Sequence, residues 1–343
     1  MATESDGTFV NLSFSHSRVA RSLLLLLFTL VVATVISLGV GYRLLDPAVL
    51  SRDPTMQTLF FQLRLPRVVM AALIGASLAA VGAALQALFR NPLADPFTLG
   101  VSGGGTLGAS CAIALGWGAS LGGVPLLFLT AFAGALGAVV LVYRLARFGH
   151  TTLPGATLLA GVVVNLVAGA AIMILQYLTD YTRALQILRW SIGSLDVVGF
   201  GLVVRVFAFV LPGWIVLIYL ARDLHLLAMG EETAASLGVQ VQRCERWVYL
   251  AASLVVGVVV SVGGTIAFVG LIVPHGVRLL FGEDVRVVLF CSFLLGASFL
   301  MLADTLARTV AGSAELPVGA VTALVGGIVF LGLLRRQQRH AAV

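Results

Sequence analysis

Arg64-Leu-Pro-Arg67 sets two guanidinium groups at the head of a long apolar run. Pro66 suits the first turn of a helix, where its missing N–H costs nothing. The arginines suit it less, because a helix N-terminus is itself partly positive. Either their heads snorkel to lipid headgroups, or they form a site for an acidic partner. Asp304 and Arg308 stand one helical turn apart, a spacing at which a pair neutralises itself. Arg308 can also serve a partner.

At the other end of the predicted bundle, Arg90-Asn-Pro-Leu-Ala-Asp-Pro96 reads as a tight turn. Its two prolines stop the preceding helix, and Asn91 and Asp95 can bond free backbone groups. Gly230-Glu-Glu-Thr-Ala-Ala-Ser-Leu-Gly238 has acids at its start and glycine at its end, the marks of a helix of about two turns. Alone in water so short a helix is unstable, so its place between apolar segments suggests that it docks onto something. Pro274, His275 and Arg278 predict a bend or a contact surface; His275 has no second ligand nearby in sequence for a metal.

Other chemistries lack their residues. All 21 basic residues are arginine, so the lysine that a P-loop needs to reach nucleotide phosphates is missing. Cys111, Cys244 and Cys291 are far apart and in or beside apolar stretches, and the five histidines form no HExxH. The cysteines read as buried small hydrophobes, and no cofactor or metal is expected. The arginines stand singly between apolar runs, without a basic stripe or interleaved aromatics, so the net charge of +6 does not point to nucleic acid.

The elements that must position these residues are membrane helices. Of 343 residues, 59% are hydrophobic and 10% charged, against about 25% charged in soluble domains. Apolar runs long enough for a bilayer predict spans over 22–41, 67–89, 99–117, 124–144, 154–179, 201–221, 247–262, 266–281, 287–306 and 316–334. The first is too long for a signal peptide and reads as a retained helix. The eighth, interrupted by Pro274, is expected to be short or bent. The predicted fold is all-α and polytopic, a single membrane domain of about ten helices. Placing both termini inside puts 13 of the 21 arginines on the inner side, as the positive-inside bias requires. Residues 1–20 and 335–343 are then cytoplasmic tails, and 222–246 is a cytoplasmic loop. Small residues at four-residue spacing, such as Gly100, Gly104 and Gly108, predict close helix packing.

The ordered set RLPR, GASLAAVGAALQALFRNPLADPFTLGVSGG, GEETAASLGV, GTIAFVGLIVPHGVRLLFG, LADTLAR and ELPVGAVTALVGG, from about Gln62 to Leu334, resembles the permeases of ABC importers for iron chelates, haem and cobalamin. The resemblance implies two permease subunits, here a homodimer, around a central pathway. It also implies two ATP-binding subunits beneath and a periplasmic or lipid-anchored binding protein above. The chain would lie in the cytoplasmic (inner) membrane of a bacterium as a transport subunit, with no catalytic residues of its own. Arg64, Arg67 and Arg308 match the family's binding-protein docking positions. Glu231, Glu232, Thr233, Ala234, Ala235, Ser236, Leu237 and Gly238 match its ATPase-coupling helix. Asn91 and Leu93, with Leu153, Pro154 and Gly155, match its cytoplasmic gate. The loop Thr151-Thr-Leu-Pro-Gly155 departs from the small polar residues usual there.

Two rival readings fit the residues less well. An ion-coupled carrier needs ionisable groups deep in the bundle, whereas the acids here lie in loops or at helix ends. An intramembrane enzyme needs a catalytic pair at depth, and no serine-histidine or paired-carboxylate spacing provides one. The cargo is expected to be an iron-siderophore, haem or cobalamin, and Met173, Gln176 and Tyr177 are candidates to line its route.

Overall fold

Small side chains put one helix at the centre of the bundle. The run Gly75-Ala-Ser-Leu-Ala-Ala-Val-Gly-Ala-Ala84 lets neighbours approach from every side, and nearly all of it is buried. In this computed structural model residues 16–41, 47–148, 151–152, 154–310 and 315–341 are described. The chain begins with α1 (His16–Gly39), α2 (Pro47–Arg52) and α3 (Pro54–Leu59), and a π-helical turn over Phe60–Arg64 leads into the central helix α4 (Leu65–Leu88). A 3₁₀ turn (Pro96–Leu99) precedes α5 (Val101–Ala114), followed by α6 (Leu126–Ala146), α7 (Pro154–Leu178) and α8 (Tyr181–Ile192). Next come α9 (Phe200–Tyr219), α10 (Ala221–Ala228), α11 (Glu231–Ser236) and α12 (Val241–Gly263). The chain closes with α13 (Val269–Phe281), α14 (Val285–Val310) and α15 (Val318–Ala341). Two antiparallel ladders, β1 (Ser120–Leu121) with β2 (Val124–Pro125) and β3 (Arg147–Phe148) with β4 (Thr151–Thr152), tie loops.

Among the described residues, six helices are long and apolar enough to cross a bilayer, and α1, α13 and α15 carry shorter apolar stretches. α13 has 13 residues, about 20 Å of rise against a hydrocarbon core of about 30 Å, which meets the expectation of a short helix. Non-helical backbone at such depth must be satisfied by protein. The segment before α13 does this: Ser194 N–H donates to the Gly263 carbonyl at 3.1 Å, and the Thr265 hydroxyl donates to the Ser191 carbonyl.

The glycine spacing in α5 produces the predicted close packing. A methyl group on Gly104 would collide with the Gly134 carbonyl of α6, and one on Gly134 with the Gly104 carbonyl.

The start of α4 differs from the sequence reading. Arg64 and Arg67 do not open a helix. Asp53 caps α3, accepting from Thr55 N–H at 2.8 Å, and the helical path runs on through the π turn, where Leu65 N–H bonds to the Phe60 carbonyl. Both arginines therefore sit more than two turns from the positive end, and its dipole does not act on them. The sequence reading also missed α8. It is amphipathic, with Asp180 accepting from Arg183 N–H at 3.1 Å as its cap and Ile187 buried beneath it.

Candidate functional site

At one end of α4 an ionic cluster joins α1, α4 and α14. Arg67 Nε and Nη2 both donate to Asp304 Oδ1, at 3.1 and 3.0 Å, and Nη1 donates to Glu315 Oε2 at 2.7 Å. Arg308 Nε lies 2.9 Å from Asp304 Oδ2. Its N–H points to the Asp304 backbone carbonyl at 3.4 Å, so the carboxylate contact is electrostatic. Arg308 Nη2 also donates to the Ser37 carbonyl at 3.3 Å and to Thr305 Oγ1 at 3.2 Å. Arg64 Nη1 donates to the Leu38 carbonyl at 3.0 Å.

This geometry gives Arg67 counter-charges within its own chain, where the sequence reading offered it lipid headgroups or an acidic partner. Asp304 is a shared carboxylate for Arg67 and Arg308, and the Arg308 side chain is only 7% exposed. The self-neutralising Asp304–Arg308 pair expected from the spacing is present. What sequence reasoning missed is the reach of Arg67 to Asp304, across 237 residues.

The opposite end of α4 carries the tight turn. Its 24 residues separate the two ends by about 36 Å. Asn91 Oδ1 accepts from Leu93 N–H at 2.9 Å, and Asp95 Oδ1 accepts from Phe97 N–H at 2.8 Å, capping the 3₁₀ turn. Burial pushes the Asp95 carboxyl up to about 6, only partly opposed by its bond from Phe97 N–H. Leu93 is exposed. Of the other gate candidates, Leu153 lies outside the described residues, Pro154 begins α7, and Gly155 is exposed with open space beside it.

α11 forms where the acids and Gly238 placed it. Ala234 is buried, whereas Glu231, Glu232, Thr233, Ala235, Ser236, Leu237 and Gly238 are exposed. Gly238 has φ +88° and ends the helix. Arg90 Nη2 donates to Glu231 Oε1 at 2.6 Å. Close by, Arg278 donates to Gln86 Oε1, and Gln86 Nε2 reaches the Gly270 and Leu271 carbonyls at 3.3 and 3.2 Å.

Between these ends an open groove of about 740 Å³ runs along α5, α7 and the segment before α13. Leu93 and Asp95 stand at one end, Met173 and Gln176 farther along, and among the described residues Asp95 is the single charged residue of its lining. Tyr177, 90% exposed, is not part of that lining. Asn165 fixes the groove wall: Oδ1 accepts from Gly103 N–H and Nδ2 donates to the Phe97 carbonyl, both at 2.9 Å. A polar side chain in the middle of the apolar run 154–179 was the available signal for it.

Residues 23–336 match the model of the FecCD transport family. The chain belongs to that family. It is 38% identical over 323 residues to the hemin transport system permease protein HmuU of Yersinia pestis, covering 93% of this chain and 95% of the relative. It is 44% identical over 290 residues to the cobalamin import system permease protein BtuC of Halobacterium salinarum, covering 84% and 76%. A solved inward-facing structure of a metal-chelate type ABC transporter superposes with a TM-score of 0.80 at 33% identity, covering 92% of this chain and 99% of that one. The chain is thus an all-α, multi-pass ABC importer permease, a transport component rather than an enzyme.

Proposed function

We propose that this chain forms half of an ATP-driven pathway that imports a bulky metal chelate of the iron-siderophore, haem or cobalamin class across the cytoplasmic membrane. The groove carries this reading. It is wide, weakly polar and open on one side, so a second permease subunit, here a second copy, supplies the missing wall. A bulky cargo passes such a wall without being held by it. The ten predicted spans, with both termini cytoplasmic, put the Asn91–Leu93 turn inside the cell. There it acts as a gate together with Leu153, Pro154 and Gly155.

Residues 231–238 are the docking site for the ATP-binding subunit. Leu237 is 60% exposed and Ala235 is exposed, leaving an apolar face for that partner while Ala234 anchors the helix from below. At the outer end, Arg64, Arg67 and Arg308 are the docking residues for a binding protein. An acidic surface on that protein is steered by arginines at the rim, and rim charges act chiefly on association rate. Arg308, being buried, contributes by holding Asp304 in place.

The test is reconstitution in liposomes with the cognate ATP-binding subunit and binding protein. ATP-dependent uptake is expected for one of a ferric siderophore, haem or cobalamin, with no ATPase activity from this chain alone. Uptake driven by an ion gradient without the ATPase would overturn the reading in favour of a secondary carrier.

A further inference from the structure

α4 closes with Arg90 N–H bonded to the Ala87 carbonyl at 3.2 Å and Asn91 N–H bonded to the Gln86 carbonyl at 3.1 Å. This pair of bonds ends a helix through one left-handed residue, usually glycine. Here the left-handed residue is Arg90, at φ +51°. A residue with a Cβ is strained in that conformation, and glycine is not. The turn itself gains nothing from arginine, so the side chain must supply the reason for it. Its guanidinium reaches Glu231, the first residue of α11, at 2.6 Å. One residue further on, Asn91 holds the backbone of Leu93 at the end of the groove. A single short segment thus grips α11 with one side chain and sets the groove's end with the next.

We propose that Arg90 is a positioning residue that transmits displacement of α11 to the Asn91–Leu93 turn. This rests on the reading of α11 as the ATPase-docking helix. The side chains of Arg90 and Glu231 are 41% and 50% exposed in the chain alone, where water weakens such a pair. A subunit seated over α11 excludes that water, and the attraction grows as the local dielectric falls. The link is therefore weak but formed in the permease alone and stronger with the ATPase in place, as a coupling element requires.

The experiment compares R90G, E231Q and the exchange R90E/E231R, using two readouts. In the reconstituted complex, cargo moved per ATP hydrolysed is expected to fall about fivefold in R90G and E231Q, and to return to within twofold of wild type in the exchange. In the permease alone, hydrogen exchange at the amides of Asn91, Leu93 and Ala94 is expected to rise about threefold in both single variants and to recover in the exchange. R90G relieves backbone strain, so its thermal stability should match or exceed that of wild type; a purely structural arginine would give normal coupling in that variant. Wild-type coupling in R90G, or no recovery in the exchange, overturns the proposal. If wild type shows no ATP-dependent uptake, the functional reading fails. The exchange data on the permease alone then still decide whether Arg90 ties α11 to the turn.

Discussion

Substituting Arg67 tests whether the cationic cluster is chiefly structural or chiefly a docking surface. Asp304, whose side chain is 1% exposed, receives two hydrogen bonds from Arg67. Breaking a buried pair by removing one partner costs about 3–5 kcal/mol, because the other charge is left without compensation. The outer bond to Glu315, half exposed, adds at most about 1 kcal/mol. Arg308 stays beside Asp304 and limits the loss, so R67Q is expected to cost about 3 kcal/mol and R67E more, since it sets a third carboxylate against two. A double-mutant cycle of R67Q with D304N, read by equilibrium unfolding in mixed micelles, should give a coupling energy of about 2–3 kcal/mol. Arg64, whose carbonyl partner is Leu38, should cost about 1–2 kcal/mol in R64Q while slowing capture of the binding protein. Additivity of the cycle within about 0.5 kcal/mol would refute the shared-carboxylate account and return Arg67 to a role at the surface.

Three further outcomes are expected. D95N keeps the oxygen that caps Phe97 and removes a carboxyl displaced from 3.8 to about 6. With the folded value raised, wild-type stability falls as pH rises from about 4 to about 6 and is level above. D95N should therefore gain up to about 3 kcal/mol over wild type at pH 7.5 and about 1 kcal/mol at pH 4.5, measured by thermal unfolding in detergent; an equal gain at both would rule out the titration. L237D, on the exposed face of α11, should leave stability within about 0.5 kcal/mol and reduce recovery of the ATP-binding subunit at least tenfold, whereas undiminished assembly would remove α11 from that interface. N165L leaves Gly103 N–H unpaired, at about 1–3 kcal/mol, and takes one of two donors from the Phe97 carbonyl, which keeps Gly100 N–H at 3.2 Å, and uptake should be lost with stability; wild-type stability in N165L would show that water replaces the clamp.

How much of this was legible in the sequence depended on how local each signal was. The α4 turn and α11 are written in adjacent residues: prolines and Asn91 for one, leading acids and Gly238 for the other. The long spans follow from unbroken apolar runs, because lipid offers the backbone no alternative partner. α8 escaped because its 12 residues mix Arg183, Gln186 and Arg189 with apolar positions, a pattern too polar for a span, although Asp180 and Gly193 bracket it. The π turn escaped because Pro66 suits a helix start equally well. The pairs of Arg67 with Asp304 and of Arg90 with Glu231 join residues 237 and 141 apart. No one-dimensional pattern sets them side by side.

The packing divides the bundle into a post and a wall. α4 meets α14 at Gly75 and Gly296, and α13 at Gly82 and Gly270, so closely that a methyl group on Gly75, Gly82 or Gly296 would collide with the facing glycine's carbonyl, and one on Gly270 with the Pro96 ring and the Leu78 carbonyl. Interfaces without slack do not slide; they move as one body. On the other side, α7 is pinned to the start of α5 by Asn165, and its Gly161 lies directly on the Thr98 carbonyl. These two bodies meet at the segment 90–100, which belongs to the end of the post and the start of the wall. A change in the groove's width without breaking either body must therefore bend that segment. Arg90, Asn91 and Asp95 occupy it, which places the charge that reaches α11 and the carboxyl displaced by burial on the stretch of chain that joins α4 to α5.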